Sequence, residues 1–286
     1  MVLGMAGDWR LKDRTTAGDR HRHSEQVLWV RGLGVTMLGM GLALAGCHFP
    51  RVSSTSPEIN ISTDIVLHPI AAGVWVHTTF FDLPGMGRVP ANGLVVIDGK
   101  DAMLINLPWT DKLTAALCNW IADRHGTTLK TVIPTHFHED CMGGLAEAHC
   151  RGAVSYGLDQ TVEIARRNGL PIPQIPYRDR ITIRCGVTSV IVTYIGAGHT
   201  TDNVVAWLPR QRVLFAGCLV KSLDSTSLGN TGDGDLAVYP ATLRNLQAAY
   251  PHARIVVPGH GAWGGPELIE HTWRLCQEKT PKSGGQ

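Results

Sequence analysis

Four short blocks of metal-binding side chains, each set just after a strand-like run, constrain this 286-residue chain more than any other feature. The first is His136-Phe137-His138-Glu139-Asp140, which follows the apolar run Leu129 to Pro134. Each later block lies in a turn-like, glycine-bearing stretch: Gly196-Ala197-Gly198-His199, Ala216-Gly217-Cys218 and Pro258-Gly259-His260-Gly261. Imidazole, thiolate and carboxylate are the donors a zinc site uses. His136, His138, Asp140, His199, Cys218 and His260 are too many donors for one tetrahedral ion and suit two Zn2+ per chain.

The segments between the blocks explain why they could converge. Val74 to Thr78 alternates like a strand. Leu94 to Ile97 and Ala102 to Ile105, joined through Asp98-Gly99, read as a hairpin. Leu113, Leu117, Trp120 and Ile121 follow helical spacing up to a stop at Gly126. Leu129 to Pro134, Ser189 to Ile195, Arg212 to Phe215 and Arg254 to Val257 read as strands, and each runs into one ligand block. Further strands are expected at Ile181 to Cys185 and Val204 to Leu208. Helices are expected at Val162 to Arg167, Leu243 to Tyr250 and Glu267 to Gln277. Sheets flanked by helices place their sites at strand C-terminal ends. The expected class is α+β, a helix–sheet–sheet–helix (αββα) sandwich forming a single domain with two similar halves, over residues 64–280. Phe80 to Pro90 reads as a mobile loop with apolar tips.

Charge and composition exclude other classes. The formal charge is +2, and that excess lies wholly in residues 1–46, which hold six Lys/Arg against four Asp/Glu and leave 20 of each beyond. No basic run interleaves with aromatics, so nucleic-acid binding has no support. Arg31 precedes an apolar run from Leu33 to Ala45, too short to span a bilayer, where about 20 residues are needed, and right for a signal peptide. The run ends in Leu44-Ala45-Gly46-Cys47, which resembles a bacterial lipobox. Residues 1–46 are read as a lipoprotein-type signal, Cys47 as the lipidated residue, 47–63 as a tether rich in Ser, Thr and Pro, and 281–286 as a tail. This implies a periplasmic protein held to the outer membrane through Cys47, the lipid being its only membrane contact. Nothing in the sequence calls for an oligomer, so a monomer is expected. Of the seven cysteines, five remain after Cys47 and Cys218, an odd number that argues against a full disulfide framework. Cys118 and Cys185 read as small buried hydrophobes.

From about Asp64 to the last helix the chain resembles the class B metallo-β-lactamases, of the first, di-zinc, cysteine-containing subclass. The matching residues are His136-x-His138-x-Asp140-x-x-Gly143-Gly144, Gly198-His199-Thr200-x-Asp202-Asn203, Gly217-Cys218-Leu219-Val220-Lys221, Leu228-Gly229-Asn230-x-Gly232-Asp233 and Gly259-His260. Asn92-Gly93-Leu94 and Pro108-Trp109-Thr110 also match family segments. Glyoxalase-like and RNA-processing relatives carry His after the motif Asp, where this chain has Cys141. The resemblance implies hydrolysis of the β-lactam amide of penicillins, cephalosporins and carbapenems, and hence antibiotic resistance.

The chemistry follows from the donors. Three imidazoles, His136, His138 and His199, leave one position open, as a catalytic zinc needs, and Asp140, Cys218 and His260 make a softer second site. Two close metals would share a water and lower its pKa towards neutrality, giving the attacking hydroxide. Asp140 thereby counts among the catalytic residues. By the resemblance, Lys221 pairs with the substrate carboxylate and Asn230 helps hold the carbonyl oxygen. Gly229-Asn230 is equally turn chemistry. Trp109 and the Phe80–Pro90 segment, Phe81 included, supply an apolar wall and flap.

No Ser-x-x-Lys motif supports a serine acyl-enzyme. Cys141 reads either as a structural thiol beneath the metals or as a further ligand. His77, His149, His252 and His271 lack motif context and read as surface or packing residues. The family's usual Asp in the stretch before Trp109 is replaced here by Asn106, which loses a carboxylate of the kind that backs and tunes metal ligands; with Cys141 in place of a cationic Arg, no positive charge there needs neutralising. Two other readings stay open: a lactone- or ester-hydrolysing relative of the same fold, and an exported zinc-binding protein without catalysis.

Overall fold

The computed structural model of the protein describes residues 57–279. The expected signal, Cys47, residues 47–56 of the expected tether and the 281–286 tail lie outside the described residues. The strands of the first sheet are β1 (Ile59–Ser62), β2 (Ile65–Ala71), β3 (Val74–Leu83), β4 (Gly87–Asp98), β5 (Asp101–Ile105), β6 (Thr128–Ile133), β7 (Val154–Leu158) and β8 (Ile175–Tyr177), side by side in chain order. Helix α1 (Asp111–His125) joins β5 to β6, the short α2 (Glu139–Met142) and α3 (Leu145–Cys150) lie between β6 and β7, and α4 (Asp159–Arg167) follows β7. The second sheet holds β9 (Arg180–Cys185), β10 (Thr188–Tyr194), β11 (Val204–Leu208), β12 (Val213–Gly217) and β13 (Ile255–Pro258), and β13 is the edge beside β12. Helix α5 (Tyr239–Ala249) joins β12 to β13, and α6 (Glu267–Lys279) closes the described chain.

The period-2 pattern of the strands explains the layering, because alternate side chains leave opposite faces of a sheet. In β3, Val74 and Val76 enter the apolar layer between the sheets, whereas Trp75 joins the outer layer under the helices. In β5, Met103 and Ile105 face the other sheet, while Ala102 and Leu104 meet Leu117 and Ile121 of α1. In β12, Val213 and Phe215 point to the inter-sheet layer, and Leu214 packs with Leu243 and Leu246 of α5 and with Leu268 and Ile269 of α6. Both faces are thus covered, and the layers run helix, sheet, sheet, helix. Each fully buried aliphatic side chain contributes about 2 kcal/mol relative to an exposed one.

Local chemistry sets the ends of α1. The Thr110 side chain accepts from the Leu113 N–H, and Gly126 closes the helix in the left-handed region at φ 59°, where its N–H meets the Ala122 carbonyl. A side chain at that φ would be strained, so Gly126 stops the helix as the sequence implied.

Two expectations change. The tether ends sooner than residue 63: Ile59–Ser62 forms β1 against β2, because Ile59 and Ile61 alternate onto the outer core. Phe80 to Pro90 forms no loose loop but the outer part of the β3–β4 hairpin, paired as far as Leu83 and Gly87, so that only Pro84 to Met86 turn the corner. Arg88 clamps this hairpin, with its guanidinium 4.5 Å from the Phe80 ring centroid and 2.7 Å from the Asp64 carboxylate. Of the surface or packing roles open to His77 the structure takes the second: it is buried, with its Nε2–H directed at the Asn106 carbonyl 3.2 Å away. The two halves share their layer order and differ in size, with eight strands in one sheet and five in the other.

Strand direction brings the four blocks to one edge. Strands β10 and β12 flank β11 antiparallel and therefore run the same way, and β13 is parallel to β12. Their C-terminal ends deliver His199, Cys218 and His260, and β6 of the facing sheet delivers His136 and His138.

Candidate metal centre

The donors fall into two touching groups. In the first, Nε2 of His136 lies 3.1 Å from Nδ1 of His138. The ring of His199 is 4.9 Å from that of His136 and 5.3 Å from that of His138, nearly perpendicular to both. One ring nitrogen from each of these three residues lies within 4.8 Å of the others. In the second group, Oδ2 of Asp140 is 3.2 Å from Cys218 Sγ and 3.2 Å from His260 Nε2. Asp140 also joins the groups, since its Oδ1 is 3.7 Å from His136 Nε2. The structure thus brings all six sequence-identified donors together.

The ring orientations are fixed from behind. Pro90 O accepts from His260 Nδ1 at 2.6 Å, which leaves Nε2 facing Asp140. Asp233 Oδ2 accepts from His138 Nε2 at 3.0 Å, which leaves Nδ1 facing His136. A carboxylate or carbonyl behind a ligating imidazole sets its tautomer and basicity. Sequence reading placed Asp233 in a matching motif without giving it a task; its position in the glycine-flanked Gly232-Asp233-Gly234 was the available signal.

Asn92 also received no role from the sequence, and it stitches the two sheets together beside the site. Its backbone N–H donates to the Gly259 carbonyl at 2.7 Å. Its amide donates to the carbonyls of Pro258 at 3.0 Å and Gly261 at 2.8 Å, and its Oδ1 accepts from Thr78 Oγ1 at 2.9 Å. The His260 turn is therefore tied to β4 whatever the metal content.

The electrostatics suit cation binding. Burial alone would raise the Asp140 pKa, yet the hydrogen bond from His260 and the charge of His136 hold it well below the usual carboxylate range. The hydrogen bond from Cys141, opposed by burial and aided by His260, holds the Cys218 thiol well below its ordinary range. Burial would lower His260, but the charges of Cys218 and Asp140 outweigh it and hold the imidazole well above its usual range. Burial, then repulsion by His136, Lys221 and His138, push His199 down to about 2. Anionic Asp140 and Cys218 with a neutral His199 are the protonation states that ligate metal, whereas His260 must give up its Nε2 proton to the incoming cation. Soft, hard and borderline donors in two adjoining sets fit a pair of zinc ions.

Cys141 is fully buried at the floor, with its Sγ 3.2 Å from His136 Nδ1 and 3.7 Å from Thr135 Oγ1. Asn106 lies below, with φ at 59°, and its Oδ1 accepts from the Thr135 N–H at 2.8 Å. The Nδ2 of Asn106 is buried and makes no hydrogen bond among the described residues. Glycines make room for these close approaches: a Cβ at Gly143 would strike the Trp109 carbonyl, and one at Gly259 would strike Cys218 Sγ.

Of the expected substrate residues, Phe81 and Trp109 stand beside the His260 ring. The ring of Phe81 stacks on Trp109 at 5.8 Å, and Trp109 lies 6.5 Å from the His260 ring. Lys221 is mostly buried, with its backbone N–H on Thr272 Oγ1 at 2.8 Å. Asn230 is exposed, and its Oδ1 accepts from the Gly232 N–H at 3.1 Å, the turn contact that the sequence also allowed.

Comparison with known proteins agrees with this architecture. The model of the metallo-beta-lactamase superfamily matches residues 86–260. The metallo-beta-lactamase type 2 of Bacteroides fragilis is 38% identical over 230 residues, covering 80% of this chain and 92% of that protein. The metallo-beta-lactamase type 2 of Pseudomonas aeruginosa is 33% identical over 80% of this chain and 90% of that protein. The solved metallo-beta-lactamase from Pontibacter korlensis superposes with a TM-score of 0.73 at 37% identity, over 75% of this chain and all (100%) of that one. Sequence motifs, four-layer fold and donor geometry converge: this chain belongs to the metallo-beta-lactamase superfamily, among its class B enzymes.

Proposed function

We propose that the protein is a zinc β-lactamase that opens the β-lactam amide of penicillins, cephalosporins and carbapenems and so confers resistance to them. The observation that carries this reading is the meeting of a three-imidazole group with an Asp-Cys-His group across one shared carboxylate, Asp140. His136, His138 and His199 would hold one zinc ion, and Asp140, Cys218 and His260 a second. When bound, such a pair supplies a water acidified to near neutral pH and a Lewis acid for the carbonyl.

The rest of the work falls to the chain. Asp233 and the Pro90 carbonyl hold two ligand rings from behind, so that Nδ1 of His138 and Nε2 of His260 face the centre. The stacked Phe81 and Trp109 offer an apolar wall against the bicyclic substrate. Lys221, three residues after Cys218, pairs with the substrate carboxylate. Asn230, whose oxygen is held by its own turn, has its NH2 as donor for the carbonyl oxygen, where negative charge grows as the amide opens.

The sequence around Arg31 to Cys47 supports export to the periplasm, with a lipid on Cys47 anchoring the protein to the outer membrane. The functional unit in this reading is a monomer that takes up a small β-lactam and no nucleic acid.

The test is carbapenem hydrolysis followed by absorbance, with zinc added and then with a chelator. Turnover that the chelator abolishes and zinc restores is expected. Absence of turnover in protein shown to hold two zinc ions would refute the proposal in favour of a lactonase or a zinc-binding protein.

A further inference from the structure

Cys141 is a buried thiol that the proposed hydrolysis does not use. Among the described residues no two cysteines are joined as a disulfide. Cys118, Cys185 and Cys276 each sit in a different apolar cluster, with no second cysteine beside them, and Cys150 is exposed. Cys141 and Cys218 belong to none of those clusters. They face each other across the floor of the metal centre, with their sulfurs within 4.8 Å and His136 and Asp140 in the same group. Cys141 Sγ is held in place by His136 Nδ1 at 3.2 Å and Thr135 Oγ1 at 3.7 Å rather than by apolar packing. A thiol meant only to fill space would sit in an apolar cluster as the other three do.

We propose that Cys141 is a resolving thiol for Cys218. When the centre is stripped of metal, a peroxide joins the two as a disulfide. This rests on the reading of the site as a zinc centre in one respect only, namely that zinc held by Cys218 protects it. The step balances. The Cys218 sulfur attacks one peroxide oxygen, the O–O bond breaks, and Cys218 becomes a sulfenic acid as one water leaves. The Cys141 sulfur then attacks the Cys218 sulfur, the S–O bond breaks, and a second water leaves with the Cys141 proton. Two electrons pass from the thiols to the peroxide, which is reduced to water. The sulfurs must close from within 4.8 Å to a bond of about 2.05 Å. A sulfenic acid with a thiol neighbour stops at the reversible disulfide; without one it proceeds to irreversible sulfinic and sulfonic acids. The pair would thus preserve a zinc-starved enzyme in a form that a thiol reductant restores.

The experiment uses the full chain, with zinc content measured first, in zinc-loaded and chelator-stripped forms. Each is treated with hydrogen peroxide, its remaining thiols are alkylated, and the digest is mapped by mass spectrometry. The stripped protein should yield a linked Cys141–Cys218 peptide lighter by two hydrogens, at least about tenfold more than the zinc-loaded protein, and reductant should return full zinc uptake. In Cys141→Ser, Cys218 should be recovered as sulfinic or sulfonic acid, and reductant should fail to restore zinc uptake. Alkylated Cys141 beside over-oxidised Cys218 in the stripped wild type would overturn the proposal, and that map decides even if Cys141→Ser does not fold. If the untreated protein takes up no zinc, the zinc reading fails, while the peptide map still decides the thiol pair.

Discussion

Replacing Asn92 by Ala should loosen the seam between the sheets by an amount that the structure allows to be worked out. The side chain makes three hydrogen bonds, at 2.9, 3.0 and 2.8 Å, and is almost fully buried. A buried hydrogen bond is worth about 1 kcal/mol net, and a carbonyl left unpaired costs up to a few kcal/mol, so Asn92→Ala should cost about 3–5 kcal/mol. Asn92→Asp keeps the acceptor for Thr78 but turns an oxygen towards the carbonyls of Pro258 and Gly261, so it should cost at least as much. The assay is urea unfolding of the metal-stripped protein, with an unchanged m-value confirming that the loss is one of stability. Zinc content gives a second readout, because the His260 turn hangs on the same bonds, and occupancy should fall at the Asp-Cys-His group first. A loss below about 1 kcal/mol at constant m, or an Asn92→Asp as stable as wild type, would refute the account of this seam.

Two further predictions concern residues around the site. Burial holds His77 at about 4, against 6.5 for an exposed histidine. The unfolded chain therefore binds the proton first as pH falls, and the contribution of His77 to stability should be lost between pH 6.5 and 4, by at most about 3 kcal/mol. Denaturant titrations across that range should show the slope flatten in His77→Gln, and an unchanged slope would contradict the assignment. Asp233→Ala should weaken zinc binding about 10- to 100-fold by releasing His138, while the exposed position keeps the change in stability within about 0.5 kcal/mol; competition with a chromophoric chelator measures the first and urea unfolding the second.

The site was more legible in the sequence than the surroundings that aim it. His136, His138, Asp140, His199, Cys218 and His260 could be read because each follows a strand, and strand ends in a layered fold share an edge. Their backing was not legible: Pro90 O and the Asn92 hydrogen bonds depend on backbone atoms from distant segments, which leave no mark on residue type. Strand β1 was missed because Ile59–Ser62 is short and adjoins a Ser/Thr/Pro-rich stretch that resembles a linker. The Phe80–Pro90 hairpin was misread because its Gly and Pro residues signal a loop, whereas the ladder to Leu83 and Gly87 and the Arg88 clamp override that local preference. Burial of His77 was hidden for a related reason: Gly93 opposite leaves the space, a cross-strand relation seen only once the register is known.

Recruitment of donors from both sheets also bears on the order in which the molecule assembles. Neither the β6 turn nor the ends of β10, β12 and β13 can hold either donor group alone, so the centre does not exist until the two sheets have docked. Metal capture should then follow the rate-limiting step of folding rather than guide it. Interactions absent from the transition state slow unfolding without speeding folding. Zinc would therefore act on this chain as a latch, lengthening the lifetime of the docked sheets while leaving the time needed to reach them unchanged.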